Sequence, residues 1–142
     1  MSTVQAASAA EPLGPYPHAR RAGNLLFISG IGPRTKGSRD IPGTTLDAQG
    51  RVATYSIEAE LRSCFANIRS ILEAAGSRWE NLVDVTVFLT NMDRDWPEYN
   101  RVYAEFFPPG PHQPTRTTVE VTKLPTGGNS PIHVEIKAIA TV

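Results

Sequence analysis

Two segments of this chain repeat their apolar residues at helical spacing, while three others change character with every residue. That shift of rhythm restricts the fold more than any other feature. Over residues 56–75, Ile57, Leu61, Cys64, Ile68, Ile71, Leu72 and Ala75 fall on one helical face. Ser56 is placed to cap the start, Glu58 and Glu60 complement the partial positive charge there, and Gly76 stops the helix. Residues 95–107 predict a second amphipathic helix, with Pro97 in its first turn and Pro108-Pro109-Gly110-Pro111 as its terminator. The aromatic residues Trp96, Tyr99, Tyr103, Phe106 and Phe107 recur at helical spacing and predict packing against a sheet.

The alternating segments supply that sheet. Residues 81–90 place Val83, Val85, Val87 and Leu89 on one side and Asp84, Thr86, Phe88 and Thr90 on the other. In residues 115–122, Thr117, Val119 and Val121 oppose Arg116, Thr118, Glu120 and Thr122. In residues 132–141, Ile132, Val134, Ile136, Ala138 and Ala140 oppose His133, Glu135, Lys137 and Ile139. The apolar run 24–30 predicts a buried strand, paired with residues 16–22 through a turn at Gly23-Asn24. The order is β-β-α-β-α-β-β, an α+β sandwich with two helices on one sheet face. The other face is expected to mix Arg116, Thr118 and Glu135 with Phe88 and Ile139. Such a face is too apolar to be simply solvated, so association with copies of the same chain is expected to cover it and leave polar clefts.

Composition narrows the function classes. The chain has 142 residues, with fourteen Lys and Arg against fourteen Asp and Glu. One domain is expected, residues 12–142, preceded by a small, polar, flexible segment 1–11. The balanced charge argues against a general nucleic-acid or anionic-membrane binder. A single cysteine, Cys64, excludes an intramolecular disulfide and a Cys-rich zinc site. No apolar run approaches the ~20 residues that span a bilayer, and the opening residues lack a secretory signal's basic and long apolar regions. A soluble, cytoplasmic domain is the expectation. Residues 34–50, rich in Gly, Asp and Thr, read as a long loop of the functional or mobile kind.

Arg116 and Glu135 are the candidate chemical pair. An arginine there could grip a carboxylate through two hydrogen bonds, and a glutamate could deprotonate a water. From spacing alone, surface residues or a simple ion pair are the better account, because strand-borne Arg and Glu are common. Cys64, on the apolar stripe, reads as a buried structural thiol. His18, His112 and His133 have no metal-ligand spacing, so no metal is expected, although His18 and His133 could contact a ligand. Residues 30–37 superficially resemble a phosphate loop, but no helix follows and Pro33 removes an N–H donor. Residues 91–93 and 129–131 read as turns.

Several segments in register resemble the RidA/YjgF family. They are Gly14-Pro15-Tyr16, then Gly23-Asn24-Leu25-Leu26-Phe27-Ile28-Ser29-Gly30, then Ile71-Leu72-Glu73-Ala74-Ala75-Gly76. Val85-Thr86-Val87-Phe88-Leu89-Thr90 and Asn100-Arg101-Val102-Tyr103-Ala104-Glu105-Phe106-Phe107 follow. The most specific parts are Pro114-Thr115-Arg116-Thr117-Thr118-Val119-Glu120-Val121, Leu124-Pro125 and Val134-Glu135-Ile136-Lys137-Ala138-Ile139-Ala140. The resemblance implies a chorismate-mutase-like α+β fold, assembled as a homotrimer with active sites between subunits. It also implies hydrolytic deamination of enamines and imines without metal or organic cofactor. Arg116 would hold the substrate carboxylate and Glu135 would orient the attacking water. Tyr16, Ser29, Gly30, Phe88, Asn100 and Thr118 match positions that line the family's pocket.

Within the family, the chain looks most like the bacterial 2-aminomuconate deaminases. These convert 2-aminomuconate to 4-oxalocrotonate (2-oxohex-3-enedioate) and ammonia in aromatic-compound degradation. The alternatives are a general deaminase of 2-aminoacrylate and a non-catalytic trimer that binds small carboxylates. The departures from the family pattern are a longer loop 34–50, the insertion 126–131, Lys137 in place of an acidic residue, His18 in place of Gln and Thr118 in place of Cys. A dicarboxylate substrate needs a second anchor besides Arg116, for which Lys137, His18 and Arg101 are candidates.

Overall fold

Both helices form where the apolar spacing places them in the computed structural model, which describes residues 2–142. Helix α1 spans Ile57–Ala74, and the Ser56 hydroxyl accepts a hydrogen bond from the Ala59 N–H at 3.1 Å. Gly76, at φ +77°, turns the chain out of the helix, a conformation that glycine adopts without strain. Helix α2 spans Met92–Phe106 and starts earlier than the sequence pattern suggests. Asn91, read as a plain turn residue, is its cap, accepting from the Arg94 N–H at 3.0 Å. Pro97 therefore falls inside the helix, beyond the first turn, where its missing N–H leaves the Asp93 carbonyl without a helical donor.

Eight strands complete the fold among the described residues. They are β1 (Ser2–Val4), β2 (Ala19–Ala22), β3 (Leu25–Ile31), β4 (Thr45–Leu46), β5 (Val52–Thr54), β6 (Leu82–Leu89), β7 (Thr115–Glu120) and β8 (Val134–Thr141). Six form a mixed sheet in the order β1-β2-β3-β8-β6-β7, while β4 and β5 pair as a small hairpin within and just after the long loop. Every pairing in the large sheet is antiparallel except β6 with β7, which α2 connects as a crossover.

Both helices pack on one sheet face. Leu26, Ile28, Val85, Val87, Leu89, Val134 and Ile136 meet Leu61, Cys64, Phe65, Ile68, Ile71, Leu72, Tyr99 and Val102, all buried. Ala138 and Ala140 keep the central strand β8 shallow beneath α1. Cys64 belongs to this core, and burial pushes its thiol well above the ordinary range, in keeping with a structural thiol. A register shift between Leu82 and Asp84 turns Val83 outward, and Leu82 takes the buried place that alternation assigned to Val83. The opposite sheet face carries no helix and leaves Phe27 39% and Val119 37% exposed.

The start of the chain departs from the flexible segment expected over residues 1–11, of which Met1 lies outside the described residues. Ser2–Val4 pairs with β2, and Ala6 and Ala9 are buried in the core. Small side chains made this segment look polar and loose, but small side chains are what a close-packed arm requires. His18 fastens it. The Ala6 N–H donates to Nδ1 at 2.9 Å, so Nε2 carries the proton and donates to the Ala10 carbonyl at 2.7 Å.

The long loop is also tied down. Asn129, read as a turn residue, donates through its backbone to the Arg39 carbonyl at 2.8 Å and through its amide to Asp40 at 3.0 Å. Arg39 donates back to Asn129 Oδ1 at 3.2 Å. Ile41, Leu124 and Ile132 close a small second core beneath this latch, with Phe88 and Val121 against it. No helix is long and apolar enough to cross a membrane among the described residues.

Candidate active site

Glu135 leaves the helix-free face of β8 opposite Phe88 of β6. Across the sheet on its other side, the pairing of β3 with β8 shifts register between Ile28 and Ile31, which places Ser29 and Gly30 in a bulge. The Glu135 carboxylate lies against Gly30, where an added Cβ would come within 2.5 Å of Oε2. A side chain at position 30 would therefore push the Glu135 carboxylate out of this place. Ser29 is fixed by donating its hydroxyl to the Pro17 carbonyl at 2.8 Å. Glu135, Gly30, Ser29 and Tyr16 line one cavity of about 90 Å³, together with arm residues 9–13, Arg34 and Ile132. Burial in this cavity raises the Glu135 carboxyl above the usual carboxylate range.

Arg116 lies elsewhere. It pairs in register with Val85, whose side chain is buried under the helices. Val85 and Phe88 are three residues apart on one strand, so Arg116 and Glu135 occupy opposite faces of the sheet. This corrects the expectation that Arg116 and Thr118 share the open face with Glu135. The guanidinium carbon sits 5.6, 5.0 and 4.7 Å from the ring centres of Trp96, Tyr99 and Tyr103. Arg116 Nη1 donates to Asn100 Oδ1 at 2.9 Å, and Tyr99 shares a 2.6 Å hydrogen bond with Thr118. Arg116 itself stays exposed, on the outermost strand.

One chain thus gathers the predicted residues into two groups. Tyr16, Ser29, Gly30, Phe88 and Glu135 stand on the open face, and Asn100, Arg116 and Thr118 stand at the rim of the helical face. Trp96 belongs to the second group rather than to the core, being 41% exposed beside Arg116.

The three candidates for a second anchor are occupied. Arg101 bonds Glu58, Glu98 and Glu105 on the surface. Both His18 nitrogens hold the arm, and Lys137 donates to the Ile28 carbonyl at 3.1 Å. His133 is likewise committed. Glu60, fully buried instead of serving the helix terminus, accepts from the His133 N–H at 2.8 Å and pairs with its Nδ1 at 2.7 Å. Tyr55 stacks on that imidazole at 3.5 Å and donates to Asp95 at 2.9 Å. Burial and this bond raise the Tyr55 hydroxyl to about 12. Among the described residues, no cluster of three His, Cys, Asp or Glu side chains could hold a metal ion.

Sequence reasoning missed Arg34 as a cavity residue and the arm as a cavity wall. Pro33 drew attention to this stretch only as a failed phosphate loop. The one available signal was an arginine directly after the strand that carries Ser29 and Gly30.

The fold and the bulge-and-glutamate cavity define a two-helix, mixed-sheet protein of the RidA/YjgF type. The sequence model of the endoribonuclease L-PSP family matches residues 6–142, and the chain belongs to that family, which includes the RidA/YjgF proteins. It is 38% identical to a RutC family protein of Pyrococcus horikoshii, over 94% of this chain and 91% of the relative. It is 32% identical to the 2-iminobutanoate/2-iminopropanoate deaminase of Dermatophagoides farinae, over 94% and 91% of the two chains. Among solved structures it resembles Escherichia coli TdcF with bound serine, at a TM-score of 0.81 and 27% identity, covering 100% of this chain and 99% of the other.

Proposed function

We propose that the protein is a cytoplasmic, cofactor-independent enamine/imine deaminase that hydrolyses 2-aminomuconate to 2-oxohex-3-enedioate and ammonia. The observation that carries the reading is the half-buried carboxyl of Glu135, raised by desolvation and set against Gly30 in a cavity. Desolvation favours the protonated form of this carboxyl and so suits it to give a proton as well as take one. As an acid it protonates the enamine carbon and yields the iminium ion. As a base it takes a proton from water while the oxygen bonds to the iminium carbon. It returns that proton to nitrogen, and the carbinolamine expels ammonia as its hydroxyl proton passes back to Glu135, leaving the ketone. No covalent intermediate with the protein is needed.

Arg116, exposed and held by Asn100 and the aromatic rings, is suited to a substrate carboxylate. Because it stands on the other sheet face from Glu135, a complete site takes Glu135 from one copy and Arg116 from another. A homotrimer that covers the open face supplies that arrangement and explains the exposed Phe27 and Val119. The relative named as an iminobutanoate and iminopropanoate deaminase and the one solved with serine support chemistry on amino-acid-derived carboxylates. The deaminase relative also favours a second reading, general clearance of monocarboxylate enamines such as 2-aminoacrylate.

The test is to generate each substrate enzymatically in situ and follow its loss together with ammonia release. Turnover of 2-aminomuconate well above the uncatalysed rate is expected. Equal rates with and without protein for both substrates would refute the enzyme reading. Turnover of 2-aminoacrylate alone would select the second reading.

A further inference from the structure

We propose that Arg34 is the second carboxylate anchor, which makes this cavity selective for an enamine carrying two carboxylates. The inference rests on reading the Glu135 cavity as the reaction site.

Arg34 follows Pro33 at the exit of β3, and its backbone is clamped. Its carbonyl accepts from the buried Asn67 side chain at 2.8 Å, and the same amide group donates to the Gly32 carbonyl at 3.2 Å. The side chain is mostly buried, at 15% exposure, in the cavity that holds Glu135, Ser29 and Gly30. Its Nε–H is buried and has no acceptor. The enclosed Nε is out of a ligand's reach, whereas Nη1 makes no hydrogen bond and is not enclosed, so it is the donor that a ligand oxygen in the cavity can meet.

The remaining guanidinium contacts all come from Glu11 of the arm. Nη2 donates to the Glu11 carbonyl, while Nη1 stands 3.9 Å from its carboxylate, beyond hydrogen-bond length. That carboxylate is taken instead by Lys36 at 2.6 Å, and this bond holds the Glu11 carboxyl below its usual range. Arg34 is therefore positioned by the arm without being satisfied by it. A planar guanidinium on the cavity wall, with Nη1 free of hydrogen bonds, matches a carboxylate. It also offsets the repulsion that Glu135 would exert on a dianionic substrate. Of the other cations weighed for this role, Arg101 and Lys137 do not line the cavity, and both His18 nitrogens hold the arm. The substrate would lie with one carboxylate on Arg116 of a second copy, the reacting carbon beside Glu135, and the far carboxylate on Arg34.

Arg34→Gln and Arg34→Lys are compared with wild type on 2-aminomuconate and 2-aminoacrylate. For Arg34→Gln, the ratio of kcat/KM for the diacid to that for the monoacid should fall roughly tenfold or more, mainly through KM. Arg34→Lys, which keeps charge without the fork, should restore part of it. A binding readout independent of turnover is calorimetric titration with cis,cis-muconate, an inert diacid, which Arg34→Gln should weaken to a similar degree. An unaltered ratio together with unaltered muconate affinity would overturn the anchor while leaving the deaminase reading intact. A parallel loss on both substrates would overturn it as well, showing that Arg34 only braces the arm. A wild type inactive on both substrates, yet binding muconate through Arg34, would remove the deaminase reading and keep the diacid site.

Discussion

Glu135 sits in a cavity walled by a strand bulge and the N-terminal arm, whereas Arg116 lies on an outer strand against the faces of three aromatic rings. The first environment withdraws a carboxyl from water and shifts its protonation. The second leaves a permanent cation exposed and fixes only its direction, through ring faces and Asn100. A group that moves protons gains from desolvation, while a group that recruits an anion must stay accessible until the anion arrives. The two halves therefore suit opposite surroundings, and the sheet between them keeps those surroundings apart within one chain.

The largest effects should come from breaking each half. Glu135→Ala removes a general acid–base group and should lower kcat on the order of 10²–10⁴-fold. Arg116→Ala should act mainly on KM, by about tenfold or more, as the loss of a charge-assisted contact does. Mixing the two impaired variants under conditions of subunit exchange, assayed at substrate well below KM, should restore roughly a quarter of wild-type activity, because random assembly rebuilds that share of two-copy sites. A mixture no more active than the average of its components would place the whole site in one chain and refute the shared arrangement.

Gly30→Ala sharpens the Glu135 half specifically. The new methyl would approach within 2.5 Å of Oε2, so the carboxylate must swing away. Misplacement of a reacting group by an ångström costs on the order of 10²-fold in rate. Deamination should fall by about that factor with KM little altered. A crystal structure of the variant with Glu135 undisplaced and full activity would break the close-approach argument.

The legible parts of this molecule were those in which burial is periodic. The α1 stripe, the central strands and the placing of both helices on one face follow from residues that must leave water, and these are the parts the fold displays. The side of the sheet that Arg116 takes was not legible. On the outer strand β7 both faces are largely exposed and polar, so alternation carries no sign, and only the pairing with Val85 decides it. Glu60 failed differently. Its position in the first helical turn suggests a surface role, but it is buried and its partner His133 lies 73 residues away. The packing of the arm is not legible in the sequence because alanines signal neither exposure nor burial. For the site, Glu135 with Gly30 and Ser29 and Arg116 with Asn100 were singled out in advance, but the division between two faces and the part played by Arg34 come from register and loop packing.

Acidity separates the halves at lower cost. The folded-state carboxyl of Glu135 is raised above its unfolded value, so its contribution favours folding in acid and is lost as pH rises through the folded value. Glu135→Gln removes a buried charge and should melt higher than wild type at about pH 8, with the gap closing toward about pH 4. The acid limb of the wild-type kcat profile should lie above the usual carboxylate range for the same reason. A melting difference that widens in acid would contradict the cause assigned here, which is desolvation.

The smallest effect belongs to the Arg116 half. Tyr103 lends its ring to the guanidinium, but its hydroxyl is buried without a hydrogen-bond partner, and burial raises it to about 12. A buried hydroxyl without a partner forfeits its hydration and gains nothing in exchange. Tyr103→Phe keeps the aromatic face and removes only that cost, so it should stabilise the protein by about 1 kcal/mol in chemical denaturation. Destabilisation of similar size would mean that the hydroxyl is satisfied in solution, by water or by a neighbouring copy. The ring stack beneath Arg116 would then be part of a polar interface, not a dry platform.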